Sequence, residues 1–269
     1  MKVFRDIEEF NQTFRKYSSW LTEGIEYYVF DGYRKNRVLI VAPHAGIKRL
    51  KVNVDGREYW VRVGDENTDK LAKIAAYNIK GGFLVSYIPR TEVDLARNPE
   101  NIGKGVKLRI KISLKERNER RLVLIPIHKN TAYYSVAVKF HRFIHEIQPN
   151  FILSFHGMRY DNYDALLGFG INGLYIEGME NAARFKEIIL DELEESVRNN
   201  IKIKISERFL GKSEYILNSH VKYNTFGCLV EFSYRKRVFR SLPQKEYQML
   251  ATAIARAAVR FLSKSLDFM

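Results

Sequence analysis

Apolar and polar positions alternate with two different periods along this chain, and the switches between them divide it into strands and helices. Val3, Phe4, Ile7, Phe10 and Phe14 recur at helical spacing, so an amphipathic helix is expected over residues 3–16. Residues 25–30, closed by Asp31-Gly32, read as a strand. The run Arg37-Val38-Leu39-Ile40-Val41-Ala42 reads as a buried strand that ends in Pro43-His44-Ala45-Gly46. Residues 50–54 and 59–63 flank Asp55-Gly56-Arg57-Glu58, which predicts a hairpin inserted over 48–63.

Leu71, Ala72, Ile74, Ala75 and Ala76 then form a helical apolar face that ends at Gly81-Gly82, ahead of a strand over 83–87. Strand, helix and strand in this order predict a parallel sheet with right-handed crossovers. A helix is expected over 131–148, where Tyr134, Val138, His141 and His145 are spaced by three or four residues before Pro149. A strand over 151–156 follows, then a glycine-punctuated apolar stretch over 166–176 and an acidic amphipathic helix over 179–198. Strands over 201–205 and 228–232 precede a final helix over about 244–263. The expected architecture is therefore a single α/β domain over residues 1–269, with a mixed, mainly parallel sheet and helices on both faces.

Composition narrows the function classes. The 269 residues are 46% hydrophobic, enough for one large core. The single cysteine, Cys228, excludes an intramolecular disulfide framework, and the first residues lack the order of a signal peptide. A cytoplasmic protein is expected. No run approaches the roughly 20 apolar residues of a membrane span. A formal net charge of +14 suggests an anionic partner, whether a small carboxylate-bearing substrate, a phosphate or a nucleic acid, or else a basic surface without a dedicated ligand. Nucleic acid is the less favoured alternative. Between Lys104 and Arg121, eight basic residues stand among two acidic ones, with Val106, Leu108, Ile110 and Ile112 alternating. That segment reads as a solvated edge strand or loop, or else as a nucleic-acid contact.

Candidate chemistry centres on two histidines. His44 and His156 each end an apolar strand, and strand carboxyl ends form the ligand crevice of open α/β sheets. A hydrolytic zinc site needs three protein ligands and an open position. Asp65, at the start of the helix that follows the His44 strand, is the third candidate; Glu66 is its reserve, and capping that helix is the alternative role for Asp65. Glu231 ends an apolar strand where an acid is out of place, so burial would raise its pKa towards that of a general base. The alternative is an ion pair with Arg235, Lys236 or Arg237. Arg90 and Arg97 could grip a substrate carboxylate or stabilise an oxyanion, with Asp94 holding one of them, or all three could form a surface network. His128, His141, His145 and His220 are less constrained. His141 and His145, one turn apart, are a possible metal pair but read better as packing or surface residues.

The order of these motifs resembles the N-formylglutamate amidohydrolase family, within the zinc-dependent carboxypeptidase-like and deacylase-like hydrolases. The likeness lies in Ala42-Pro43-His44-Ala45-Gly46, in Asp65 through Leu71, in Pro89-Arg90-Thr91-Glu92-Val93-Asp94-Leu95-Ala96-Arg97, in His156 and in Glu231. It spans most of residues 37–235 and implies a zinc-exopeptidase-like fold. It also implies one zinc ion on His44, Asp65 and His156, with Glu231 as base and Arg97 aiding catalysis. Arg90, Arg97 and Asp94 would bind an N-acyl amino acid such as N-formylglutamate, or a short peptide. Ile47 stands where carboxypeptidases carry the Glu of His-x-x-Glu, so the next ligand must come from beyond the hairpin. Ala96 stands in place of Asn, and Ser154 in place of the Asp that often precedes the second histidine.

Overall fold

The computed structural model describes residues 1–114, 119–158, 162–206, 214–222, 225–233 and 242–266. Eight strands form one sheet in the spatial order β1 (Ser19–Thr22), β2 (Ile25–Val29), β6 (Gly82–Ser86), β3 (Val38–Ala42), β9 (Phe151–Met158), β12 (Phe226–Ser233), β10 (Ala165–Gly168) and β11 (Ile203–Ile205). The central run β6, β3, β9, β12 is parallel throughout, as is the β10–β11 edge pair. Antiparallel pairs join β1 to β2, β2 to β6 and β12 to β10. The sheet is thus mixed and mainly parallel.

Strand alternation assigns side chains to two cores. Val38, Ile40 and Ala42 of β3, with Phe151, Leu153 and Phe155 of β9, pack on one face against α1 (Ile7–Phe14), α3 (Thr68–Ile79), α5 (Met179–Glu192) and α8 (Lys245–Leu266). Leu39, Val41 and Ile152 face the other way, against α4 (Tyr134–Ile147) and the short α7 (Tyr215–His220). Helices therefore cover both faces, and strands buried on both sides read as continuous apolar runs.

Several boundaries differ from the sequence expectation for identifiable reasons. The first helix begins at Ile7, because the Asp6 side chain accepts from the Glu9 N–H and caps it. Phe4 lies before that cap and packs its ring against Phe10 and Phe14. The helix expected over 179–198 is interrupted: buried Leu193 adopts an extended backbone, and a separate turn, α6 (Glu195–Arg198), follows. The basic segment pairs with its successor as a hairpin, β7 (Lys107–Leu114) with β8 (Glu119–Pro126), apart from the main sheet.

The inserted hairpin comprises β4 (Lys48–Val54) and β5 (Arg57–Val63), paired residue for residue. Asp55 and Gly56 both have positive φ, 52° and 79°, the backbone of the two-residue turn that suits strand twist. At the base of this hairpin Gly46 and Gly64 meet. A Cβ on Gly64, whose φ is +129°, would collide with the Gly46 carbonyl oxygen, and one on Gly46 would collide with the Tyr87 carbonyl. Two backbones therefore approach where no side chain fits. Gly64→Ala is expected to lower stability by about 1–3 kcal/mol and to lower the melting temperature accordingly; an unchanged melting temperature would refute the close approach.

Candidate metal centre

β3 and β9 are neighbouring parallel strands, so their carboxyl ends open on the same edge of the sheet. His44 follows β3 by two residues, and His156 lies on β9 in register with Glu231 of β12. Within β9 and β12, Ser154, His156 and Glu231 share the parity of Ile152 and Leu229, so polar groups take the places of core residues on the α4 and α7 side. The β4–β5 hairpin brings the chain back to its origin. The Asp65 N–H donates to the His44 carbonyl at 2.7 Å, which fixes Asp65 beside the first histidine.

The three side chains converge. Asp65 Oδ2 lies 3.3 Å from His44 Nδ1 and 3.5 Å from His156 Nδ1, and the two Nδ1 atoms are 3.2 Å apart. All three residues are buried. The capping alternative for Asp65 is not adopted: Asn67 occupies the cap position of α3, and Thr68 bonds the Asp65 main-chain carbonyl through both its N–H and its hydroxyl. Glu66 instead forms an ion pair with Arg62 at 2.7 Å and is not one of the three converging residues.

A second ring of carboxylates stands behind the histidines. Asp94 Oδ1 is 2.6 Å from His44 Nε2, and the Glu214 oxygens lie 3.0 and 3.1 Å from His156 Nε2. With Nε2 as the donor in each ring, each Nδ1 presents a lone pair to the centre. Two ring lone pairs and a carboxylate oxygen then face one another, an arrangement that repels itself unless a proton or a cation sits between them. The donor set, two imidazoles and one carboxylate, suits a divalent transition metal such as zinc.

Burial and neighbours shape the protonation states. Burial opposes ionisation of Asp65, but the two imidazoles outweigh it and hold its carboxyl far below the usual range. Asp94, also penalised by burial, is held well below its usual value by Arg90 and His44. Burial would lower the His156 pKa, yet Glu214 and Asp65 raise it well above the ordinary imidazole value. A cation at the centre therefore competes with a proton there. Burial pushes Glu231 up, only partly offset by His156. Glu231 makes no ion pair or hydrogen bond among the described residues, while Arg235, Lys236 and Arg237 lie outside them.

The loop after β6 supplies the positive charge. Arg90 Nε and Arg97 Nε donate to Asp94 Oδ2 at 2.8 and 3.3 Å, and both arginine side chains are partly exposed. Arg90 lies within electrostatic reach of Asp65 and Glu231. Asp94, expected to hold an arginine, is 0% exposed and engages His44, both arginines and the Ala96 N–H. It positions the groups around it. His128, unconstrained in sequence, is buried too; its Nδ1 accepts from the Asp94 N–H at 2.9 Å and its Nε2 faces the Asn98 carbonyl at 3.2 Å.

Glu214 was missed by sequence reasoning. It precedes the six-residue α7, too short to show a period, and its acid reads as an ordinary helix start. An isolated acid before an apolar turn was the one available signal. His141 and His145 do not pair with each other; buried His141 contacts His220 of α7, Nδ1 to Nε2 at 3.2 Å, with the rings stacked. His145 is exposed.

No protein-family model matches the chain, and no curated protein matches it significantly in sequence. Solved structures do share its fold. An N-formylglutamate amidohydrolase from Ralstonia eutropha JMP134 superposes with a TM-score of 0.59 at 12% identity, covering 92% of this chain and 100% of that one. A gene product from Agrobacterium tumefaciens superposes with a TM-score of 0.52 at 13% identity, covering 92% and 96% respectively. The chain thus has the fold of the family it resembles in motif order.

The helix contact behind the centre carries a pH prediction. Burial, then the neighbouring His220, lowers His141 to about 3, and burial lowers His220 to about 4. An unfolded histidine titrates near 6.5, so the unfolded chain binds more protons below that pH and stability falls as pH drops from about 6.5 towards 4. Denaturant midpoints measured across this range should fall in the wild type and fall less in His220→Gln. Parallel curves would remove the pair from the acid response.

Proposed function

We propose that this protein is a zinc-dependent amidohydrolase that cleaves an amide bond in a small substrate bearing a carboxylate, such as an N-acyl amino acid or a short peptide. The observation that carries this reading is the convergence of His44 Nδ1, Asp65 Oδ2 and His156 Nδ1, each backed or flanked by groups that leave an acceptor pointing inward. Those three residues would hold one ion. When bound, zinc supplies Lewis acidity that activates water and polarises a carbonyl near neutral pH. The fold shared with an amidohydrolase is in keeping with this chemistry.

The chain's own residues supply the rest. Glu231, half-buried beside His156 and with a raised pKa, takes a proton from the attacking water and delivers it to the leaving amine. Arg90 and Arg97 have their Nε atoms occupied by Asp94, so the outer guanidinium nitrogens are oriented to receive an anion. One binds the substrate carboxylate and the other, Arg97, stabilises charge on the carbonyl oxygen in the transition state. Asp65, Asp94, Glu214 and Glu231 outnumber the two arginines within a chain of net charge +14, which suits a divalent cation at their centre.

Metal analysis of the purified protein tests the first half of this reading. Near-stoichiometric zinc is expected in the wild type and strongly reduced zinc in His44→Ala, Asp65→Ala and His156→Ala; equal content in all four proteins would sink the site. Hydrolysis of a panel of N-acyl amino acids tests the second half. Glu231→Gln should retain zinc yet lose about 100- to 10,000-fold in turnover, and undiminished turnover would remove Glu231 as the base.

A further inference from the structure

Glu214 is the buried acid nearest the centre that the proposed chemistry leaves without a task. It is 5% exposed, and both its oxygens lie within reach of His156 Nε2. Ser154, fully buried, donates its hydroxyl hydrogen to Glu214 Oε1 while its Oγ lies 3.0 Å from the same imidazole nitrogen. An ionised carboxylate only accepts. The single hydroxyl hydrogen of Ser154 is already spent on Glu214, so the hydrogen between His156 Nε2 and the three oxygens around it must be carried by the imidazole. His156 is then protonated on Nε2, which leaves Nδ1 as the atom able to offer a lone pair to His44 and Asp65.

The backbone that delivers Glu214 is anchored on both sides. The next residue, Tyr215, donates its N–H to the Ala96 carbonyl at 2.7 Å, tying α7 to the arginine-bearing loop. Ile216 and Leu217 are buried in the core beneath α4, and the Asn218 N–H closes the first turn on the Glu214 carbonyl. The carboxylate is thus carried to His156 by a packed helix end from outside the central strands.

We infer that Glu214 is the positioning residue for His156: held by Ser154 and α7, it fixes the Nε2–H tautomer and turns Nδ1 towards the centre, as Asp94 does for His44 from the opposite side. This rests on the metal reading above, in which Nδ1 is a ligand. Outer-shell carboxylates on ligand histidines typically govern metal affinity by about 10- to 100-fold.

The test uses the full chain with three variants and two readouts. Zinc affinity, measured by competition with a chelator, is expected to fall by about 10- to 100-fold in Glu214→Ala. Glu214→Gln keeps a carbonyl oxygen at the same reach and should restore most of that loss, and Ser154→Ala should lie between the two. Nitrogen-15 NMR of the imidazoles provides the readout that a merely structural role would not move: the His156 Nε2 proton should be slow to exchange in the wild type and in Glu214→Gln, and fast in Glu214→Ala. Wild-type affinity together with a persistent Nε2 proton in Glu214→Ala would overturn the inference. So would equal loss of affinity in Glu214→Ala and Glu214→Gln with the Nε2 proton retained in both, because charge alone would then explain the effect. If the wild type takes up no zinc, the metal reading fails by itself, and proton exchange in the metal-free protein still decides whether Glu214 holds the tautomer.

Discussion

Three atoms that would each accept a hydrogen bond are held face to face at the end of the sheet, and the surrounding structure exists to keep them there. His44 Nδ1, Asp65 Oδ2 and His156 Nδ1 lie 3.2 to 3.5 Å apart in a buried setting where water cannot separate them. Such a juxtaposition is unfavourable in itself. It persists because β3 and β9 are buried on both faces and the returning hairpin locks Asp65 to the His44 carbonyl. The rigidity of a close-packed core keeps this conflict in place, and a proton or a cation between the three atoms would relieve it.

Asp94 distributes the consequences. One carboxylate serves His44 through Oδ1 and both Arg90 and Arg97 through Oδ2, while its own N–H is held by His128. The orientation of one imidazole of the centre and the placement of two guanidiniums are thus set by a single buried group. Burying such a charge is tolerable because every partner it has is a donor.

The parts of this arrangement that follow a period were legible in the sequence. β3, β9 and β12 are continuous apolar runs, and the polar residues that break them, His156 and Glu231, mark the face on which the site lies. His44 was legible for a related reason, as the polar end of such a run. Asp65 and Glu66 could not be separated, because adjacent acids carry the same pattern; what separates them is Arg62, which pairs with Glu66, and the turn at Asn67. Asp94 was legible as an arginine partner but not as a buried hub, since its loop has no period to report burial. Glu214 and the His141–His220 contact depend on where a six-residue helix docks, and that is a property of tertiary packing alone.

Two hairpins leave the loops of the centre and come back to them. β4–β5 departs after His44 and returns at Asp65, and β7–β8 departs beyond Arg97 and returns at His128. They share a small apolar cluster of their own, with Val54, Val61 and Val63 against Ile125, and Leu108 and Val123 packed alongside, separate from both main cores. A cluster of that size is a weaker cooperative unit than the eight-stranded sheet, so it opens at lower free-energy cost. Loosening it slackens the tethers of Asp65 and His128 while the sheet stays folded. The geometry of the centre can therefore loosen before the fold does, and local and global unfolding become separate events in one molecule.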